Sequence, residues 1–430
     1  MSAQEASSQG SASSASPGRN RFLMFESLQD VAFRMLWLGT FFSTAAIQID
    51  MVAKSWLAYD LTGSAAILGL VAGARAVPML LLSLVGGVVA DRVRKRNLIV
   101  ASQFCLGLSA LTVAILVHTG LIQVWHLAAV GAVQGILFSF NMPARQALVP
   151  ELVGKRLLSN AIAMQSMGMN VNRIVAPAVA GLLISLGPNL AFYTTSLLYA
   201  GSVMTLLTLP AGKPVDNGGK SAWAALTGGF QYIWGNTLVR TLLLMAFVPT
   251  FLGMPFMQLL PVFQADVFQV GPSQLGVMYT AVGVGSLLSS LGVAGLSSHP
   301  RLRMMQMFAG AGFGMFLVAF ALAPSFSMSL VLLFAVGFFS QGYFIINHIL
   351  LMTNVERELF GRVSSIGLIT WSLNPIALVG LGIIVDAVGA PPVVAGQGVV
   401  LFLFMVAVVM IYPALGRPLV KEQEIPRVQV

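Results

Sequence analysis

From about residue 31 onward the chain alternates between long apolar stretches and short polar connections. A helix needs about 20 predominantly apolar residues to cross the roughly 30 Å of bilayer hydrocarbon. Twelve stretches reach that length: 33–57, 66–90, 97–117, 124–140, 161–186, 191–209, 242–262, 275–296, 304–322, 329–350, 363–385 and 393–412. Glycine and proline (43 and 20 residues) fall inside many of them. Membrane helices tolerate such residues because neighbouring helices satisfy the freed backbone groups, whereas soluble helices are weakened by them.

The basic residues order these stretches. Arg19, Arg21 and Arg34 precede or open the first span. Arg92, Arg94, Lys95 and Arg96 occupy the second connection, and Arg145, Lys155 and Arg156 the fourth. Lys213, Lys220 and Arg240 lie in the sixth, Arg301 and Arg303 in the eighth, Arg357 and Arg362 in the tenth. Arg417, Lys421 and Arg427 follow the last span. The odd-numbered connections carry no lysine or arginine. Positive charge is retained on the cytoplasmic side of a plasma membrane, so both termini are expected inside.

Composition agrees. Hydrophobic residues make up 57% of 430 and charged residues only 9%, against roughly 25% charged in an average soluble domain. These figures exclude a disordered chain and an ordinary soluble enzyme. The net charge of +9 is accounted for by loop topology, so no nucleic-acid partner is expected. Cys105 is the single cysteine, which leaves no intrachain disulfide and no cysteine zinc cluster.

The organisation read from this pattern has five parts. Residues 1–30 form a disordered Ser- and Gly-rich cytoplasmic tail, 31–210 a first six-helix bundle and 211–240 a central connection. Residues 241–413 form a second six-helix bundle and 414–430 a second tail. In the central connection Trp223, Leu226, Phe230 and Ile233 recur at helical spacing. They fit an interfacial amphipathic helix or a lead-in to the seventh span.

The two halves correspond. Asn141, Val149, Arg156 and Ser159 match Asn347, Val355, Arg362 and Ser365 at one constant offset. Gly87, Asp91 and Arg94 to Arg96 match Gly295, His299 and the Arg301–Arg303 segment at nearly the same offset. Parallel repeats of this kind describe a transporter with its binding site between the halves.

One segment makes the resemblance specific. Gly87-x-x-x-Asp91-Arg92-x-Arg94-Lys95-Arg96 resembles the signature loop of the major facilitator superfamily, with Arg94 replacing its second glycine. The segments Trp56-Leu-Ala-Tyr-Asp-Leu-Thr-Gly-Ser64, Pro143-Ala-Arg-Gln-Ala-Leu-Val-Pro150 and Gly361-Arg-Val363 resemble the enterobactin-exporter-like and macrolide-efflux-like branch. The resemblance covers about residues 30–415. It implies an all-α membrane protein of twelve transmembrane helices in two pseudo-symmetric six-helix bundles, the major facilitator fold. It also implies that Gly87, Asp91, Arg92 and Arg96 form a conformational latch between the halves. Span five carries Ala176-Pro177-x-x-Ala180-Gly181, which resembles a degraded exporter element and equally fits small-residue helix packing. Gly131 stands where many proton-coupled members have an arginine.

Ionisable residues within spans are costly and mark functional candidates. Asp50 and Lys54 form an i, i+4 pair on span one; Arg75 and Arg173 lie near the middle of spans two and five. Two readings stand side by side. Asp50 is a proton carrier tuned by Lys54 and Arg75, or Asp50–Lys54 is a structural pair while Arg75 and Arg173 attract an anion. Lys54, taken alone, is expected to snorkel to the interface. Gln134, Asn141, Asn347 and His348 add candidate polar contacts.

The leading function is a secondary active exporter of an amphipathic small molecule (drug-, siderophore- or macrolide-like), working by alternating access in exchange for protons. One alternative is an importer or lipid-headgroup flippase with an anionic substrate. Another is a non-transporting sensor or assembly protein. No phosphate-binding loop, metal-ligand spacing or catalytic triad is present in the sequence, so neither enzyme activity nor a cofactor is expected. The expected partners are the substrate, protons and lipid, and a monomer is expected.

Overall fold

The computed structural model describes residues 26–209, 237–296, 299–355 and 360–411 (apart from the side chains of 84–88, 90–91, 155, 237–238 and 360–373). Their regular structure is helical throughout. The helices are α1 Val31–Thr62, α2 Ala65–Arg92, α3 Lys95–His118, α4 Val124–Gly154, α5 Arg156–Leu186 and α6 Pro188–Leu207. The second set is α7 Val239–Val267, α8 Pro272–Leu296, α9 Leu302–Ala321, α10 Phe326–Asn354, α11 Phe360–Val388 and α12 Ala390–Ile411. Eleven are long and apolar enough to cross a bilayer. In the twelfth, α11, the described apolar stretch is Asn374–Val388.

Every span read from the sequence has its helix. The largest difference is α4, which continues past residue 140 to Gly154 as a helix that carries Pro143 and Pro150. Charged residues in 145–156 imitate a loop, but the backbone leaves helical geometry only at Gly154, with φ 65° and ψ 177°. A residue with a Cβ is strained there. At the other end of the bundle, a two-residue turn joins α1 to α2. Gly63 caps α1 with φ 60°, and the Ser64 side chain accepts from the Ile67 amide to cap α2. The Thr-Gly-Ser of the sequence motif is this turn.

Residues 26–30, assigned to the tail, begin the fold. Glu26–Gln29 is a 3-10 turn, Ser27 hydrogen-bonds Asn160, and Asp30 caps α1. The amphipathic helix expected around Trp223–Ile233 lies outside the described residues, as do both tails up to residue 25 and from 412.

Helix α7 is irregular. It contains π turns at Pro249–Gly253 and Phe263–Val267 and carries Pro249, Pro255 and Pro261. Each proline removes a backbone donor and displaces the helical ladder.

Successive helices run in opposite directions, so the connections alternate between two ends. The end with Arg92–Arg96, where the described residues begin at Glu26 and stop at Ile411, is the terminal end, and that with Ser64 the distal end. Among the described residues the two most extensive crossings between the halves are α2 with α11, and α5 with α8. They are equivalents of one another under the repeat that relates α2 to α8 and α5 to α11. At the α5–α8 crossing Gly181 and Gly276 pack backbone to backbone, since a Cβ on Gly276 would sit 2.6 Å from the Pro177 carbonyl oxygen. The Pro177-x-x-Ala-Gly181 element thus provides the small-residue contact between halves.

The core divides by height. Around the distal half, one continuous buried cluster draws on both bundles: Val52, Leu57, Ile184, Leu259, Phe263, Leu378 and Val385 are among its members. Toward the terminal end the cores separate. One contains Phe33, Leu36, Leu148 and Leu206; the other contains Leu242, Met307, Ile346 and Leu350.

Candidate functional site

A cavity of about 960 Å³ lies between the halves. Its first wall comes from α1, α2 and α4, and its second from α7, α8 and α11. It extends along the bundle from Ala58 and Leu68 to Ser83 and Gln146.

The first wall carries the charge. Asp50 and Lys54 pair at 3.0 Å, and Lys54 Nζ also donates to Gln134 Oε1 at 2.7 Å. Asp50 is 2% exposed and Lys54 7%. The expectation that Lys54 snorkels is therefore overturned: it stays in the bundle because one carboxylate and one amide oxygen satisfy its ammonium group. Asp50 Oδ1 and Gln134 Nε2 remain buried without a hydrogen-bond partner, which makes this network the least satisfied polar group on the wall.

Arg75 joins it from α2, with its guanidinium carbon 4.4 Å from the Phe138 ring centroid, a cation–π distance. Among the described residues no carboxylate lies within 4 Å of it. Glycine makes this placement possible. A Cβ on Gly135 would fall 2.1 Å from the Arg75 carbonyl oxygen, so α4 reaches α2 only because Gly135 has none. Gly131, in the position where an arginine was noted as missing, faces the same helix near Val71 and also lines the cavity.

The second wall is neutral. Met254, Met257, Gln258, Tyr279, Asn374 and Pro375 line it. Asn374 Nδ2 donates to the Thr250 carbonyl at 2.7 Å, within the π turn of α7, and Gln258 Nε2 donates to Asn374 Oδ1 at 3.2 Å. The turn leaves a carbonyl for a side chain to accept, and Asn374 fixes α11 against it. Sequence reading did not single out these residues; the signal available was three prolines within one span.

The remaining candidates lie elsewhere. Asn141 is buried on α4 but does not line the cavity. Asn347 accepts from Gln306 at 2.6 Å and bridges α9 to α10. His348 faces outward from α10. Arg173 donates to Gln341 at 2.9 Å between α5 and α10, away from the cavity lining. Arg75 and Arg173 therefore do not share one site.

In the signature loop, Gly87 and Asp91 belong to the end of α2, and the Asp91 side chain lies outside the described residues. Arg92 is exposed, and Arg96 has a buried, unpartnered Nε. Lys95 forms an ion pair with Glu151 of α4, which ties α3 to α4 within the first half. Neither member of that pair was among the candidates.

Comparisons with known proteins agree with this architecture. A family model described as transmembrane secretion effector matches residues 24–356. The multidrug efflux pump Tap of Mycolicibacterium fortuitum is 28% identical over 353 residues, covering 79% of this chain and 86% of Tap. The enterobactin exporter EntS of Escherichia coli O1:K1 / APEC is 25% identical over 354 residues, covering 78% and 80%. Among solved structures, the nucleoside transporter NupG superposes with a TM-score of 0.69 at 14% identity, covering 89% of this chain and 98% of NupG. A bacterial homologue of the human lysosomal transporter Spinster, inward-facing and unoccupied, gives 0.64 at 15% identity, covering 94% and 96%. The likeness to the two solved structures is one of fold. Twelve long helices among the described residues, arranged in two related halves, a cavity between them and a family match over most of the chain converge: the protein is a multi-pass membrane transporter, not an enzyme, and belongs to the transmembrane secretion effector family of the major facilitator superfamily.

Proposed function

We propose that the chain exports an amphipathic small molecule by alternating access, in exchange for protons handled at the Asp50–Lys54 pair. One observation carries this reading. Among the described residues the lining of the cavity between the halves holds a single carboxylate, Asp50, which is buried, ion-paired and left with one unpartnered oxygen. A carboxylate so placed, held against the Lys54 ammonium with one oxygen left unpartnered, is the group in the cavity wall suited to take up and release a proton in the cycle. Methionines and short apolar side chains cover most of the remaining surface and adapt to varied apolar bodies. The named exporters among the relatives support the direction.

With the termini in the cytoplasm, the side that the basic connections favour, the merged core faces outward and the separated cores face the cytoplasm. The proposal takes this conformation as the inward-facing one. The importer or flippase reading receives less support, because it needs Arg75 and Arg173 in one anion site.

The test is export from cells. In a host lacking its own efflux pumps, expression should lower accumulation of compounds from a panel containing a macrolide, ethidium and a catecholate siderophore. It should also raise growth resistance to the same compounds. Asp50→Asn, inserted at normal levels, should abolish both effects. Increased accumulation on expression, or full protection by Asp50→Asn, contradicts the proposal.

A further inference from the structure

The distal closure rests on side chains that neither the signature loop nor the cavity involves. Asp386, near the end of α11 in the second half, reaches the first turn of α2 in the first half. Its Oδ1 accepts from the Ala65 amide at 2.6 Å. Its Oδ2 accepts from the Ser64 hydroxyl at 2.6 Å and the Ala66 amide at 3.2 Å. A carboxylate is well placed there, since the first amides of a helix have no partner within it and the dipole favours negative charge. A second acid of the same half does the same to α1: Tyr59 donates to Asp266 Oδ2 at 2.5 Å.

Both receivers lie in the Trp56-Leu-Ala-Tyr-Asp-Leu-Thr-Gly-Ser64 segment. Tyr59 takes one acid, Ser64 the other, and Gly63 supplies the left-handed turn between them. Ser64 also caps α2, but capping alone does not require a tyrosine at position 59 or an acid from the other half at Ser64.

We propose that Asp266 and Asp386 form the distal gate of the transport cycle, with the Tyr59–Ser64 segment as its receiver. Opening the cavity distally separates α1 and α2 from α7 and α11, and all four hydrogen bonds break together. The bonds run wholly between halves, so each half keeps its own packing when they part. Close helix approach accompanies them: a Cβ on Gly382 would lie 2.5 Å from the Ala65 carbonyl oxygen, and one on Gly69 2.6 Å from the Val379 nitrogen. The gate therefore closes fully or not at all. The Asp266 and Asp386 carboxylates determine how long it stays closed, independently of whether Asp50 carries the proton.

The experiment uses full-length protein with Cys105→Ser. In Ser64→Cys/Asp386→Cys, oxidation should cross-link the halves and stop export of a compound that the reduced protein transports, and dithiothreitol should restore it. In a second set, Met257→Cys in the cavity wall reports access to an impermeant thiol reagent added from the distal side. Asp386→Asn should raise that labelling rate by at least about fivefold, since it weakens charge-assisted hydrogen bonds. Asp386→Glu should stay nearer the parent rate, which a merely misfolded variant would not do. Cross-linked protein that still transports, or labelling unchanged by Asp386→Asn, overturns the gate. Loss of proton coupling in Asp50→Asn leaves it standing.

Discussion

The two ends of the bundle are built differently. At the distal end one core runs through both halves, hydrogen bonds cross between them, and small residues bring the backbones into contact. At the terminal end each half has its own core, and the Lys95–Glu151 ion pair joins helices of the same half. Each half is thus packed well enough to stand as a body, while the contact between bodies runs from the distal end to mid-span, where Arg173 meets Gln341. That is the arrangement a rocking transporter needs, because interfaces of packed bodies switch between discrete arrangements rather than deform.

Disrupting the distal contact should have the largest effect. Gly276→Leu would drive a side chain into the Pro177 carbonyl and Gly181. The expected outcome is membrane insertion without transport, because the distal side cannot close; flux in proteoliposomes and labelling of Met257→Cys measure it. Between the ends, Lys54→Met leaves Asp50 buried without its cation. Breaking one partner of a buried pair costs about 3–5 kcal/mol, while replacing both is often neutral. Thermal stability in detergent should therefore fall in Lys54→Met and recover in Asp50→Asn/Lys54→Met, with proton-driven export absent from both. The smallest effect belongs to the terminal end. Glu151→Gln removes a partly exposed ion pair, worth roughly 0.2–1 kcal/mol. Stability should barely change, and distal labelling of Met257→Cys should stay at the parent rate.

Much of this was legible in the sequence, and the failures have physical causes. Apolar length gave every span, because backbone groups in hydrocarbon admit few structures. The i, i+4 spacing placed Asp50 and Lys54 on one face. It could not reveal that Gln134, eighty residues away on α4, supplies the acceptor that keeps Lys54 buried. Polarity within a span does not report which neighbour it faces: Asn347 bridges two helices of its own half, and His348 points away. Asp266 and Asp386 stand near span ends, where any acid is comfortable. Only three-dimensional contact distinguishes a gate from a boundary. Arg145 shows the reverse error. It reads as a loop cation but is half-buried in α4 and donates to Thr40 at 2.7 Å.

The most direct test of the two-ended account is a pair of distances in one protein. Spin labels at Arg94→Cys and Arg301→Cys report the terminal end, and labels at Leu121→Cys and Pro324→Cys the distal end, both with Cys105→Ser. On adding a transported compound, the account predicts that a population appears in which the terminal distance is shorter and the distal distance longer. Distances that stay fixed, or that change in the same direction at both ends, would contradict it.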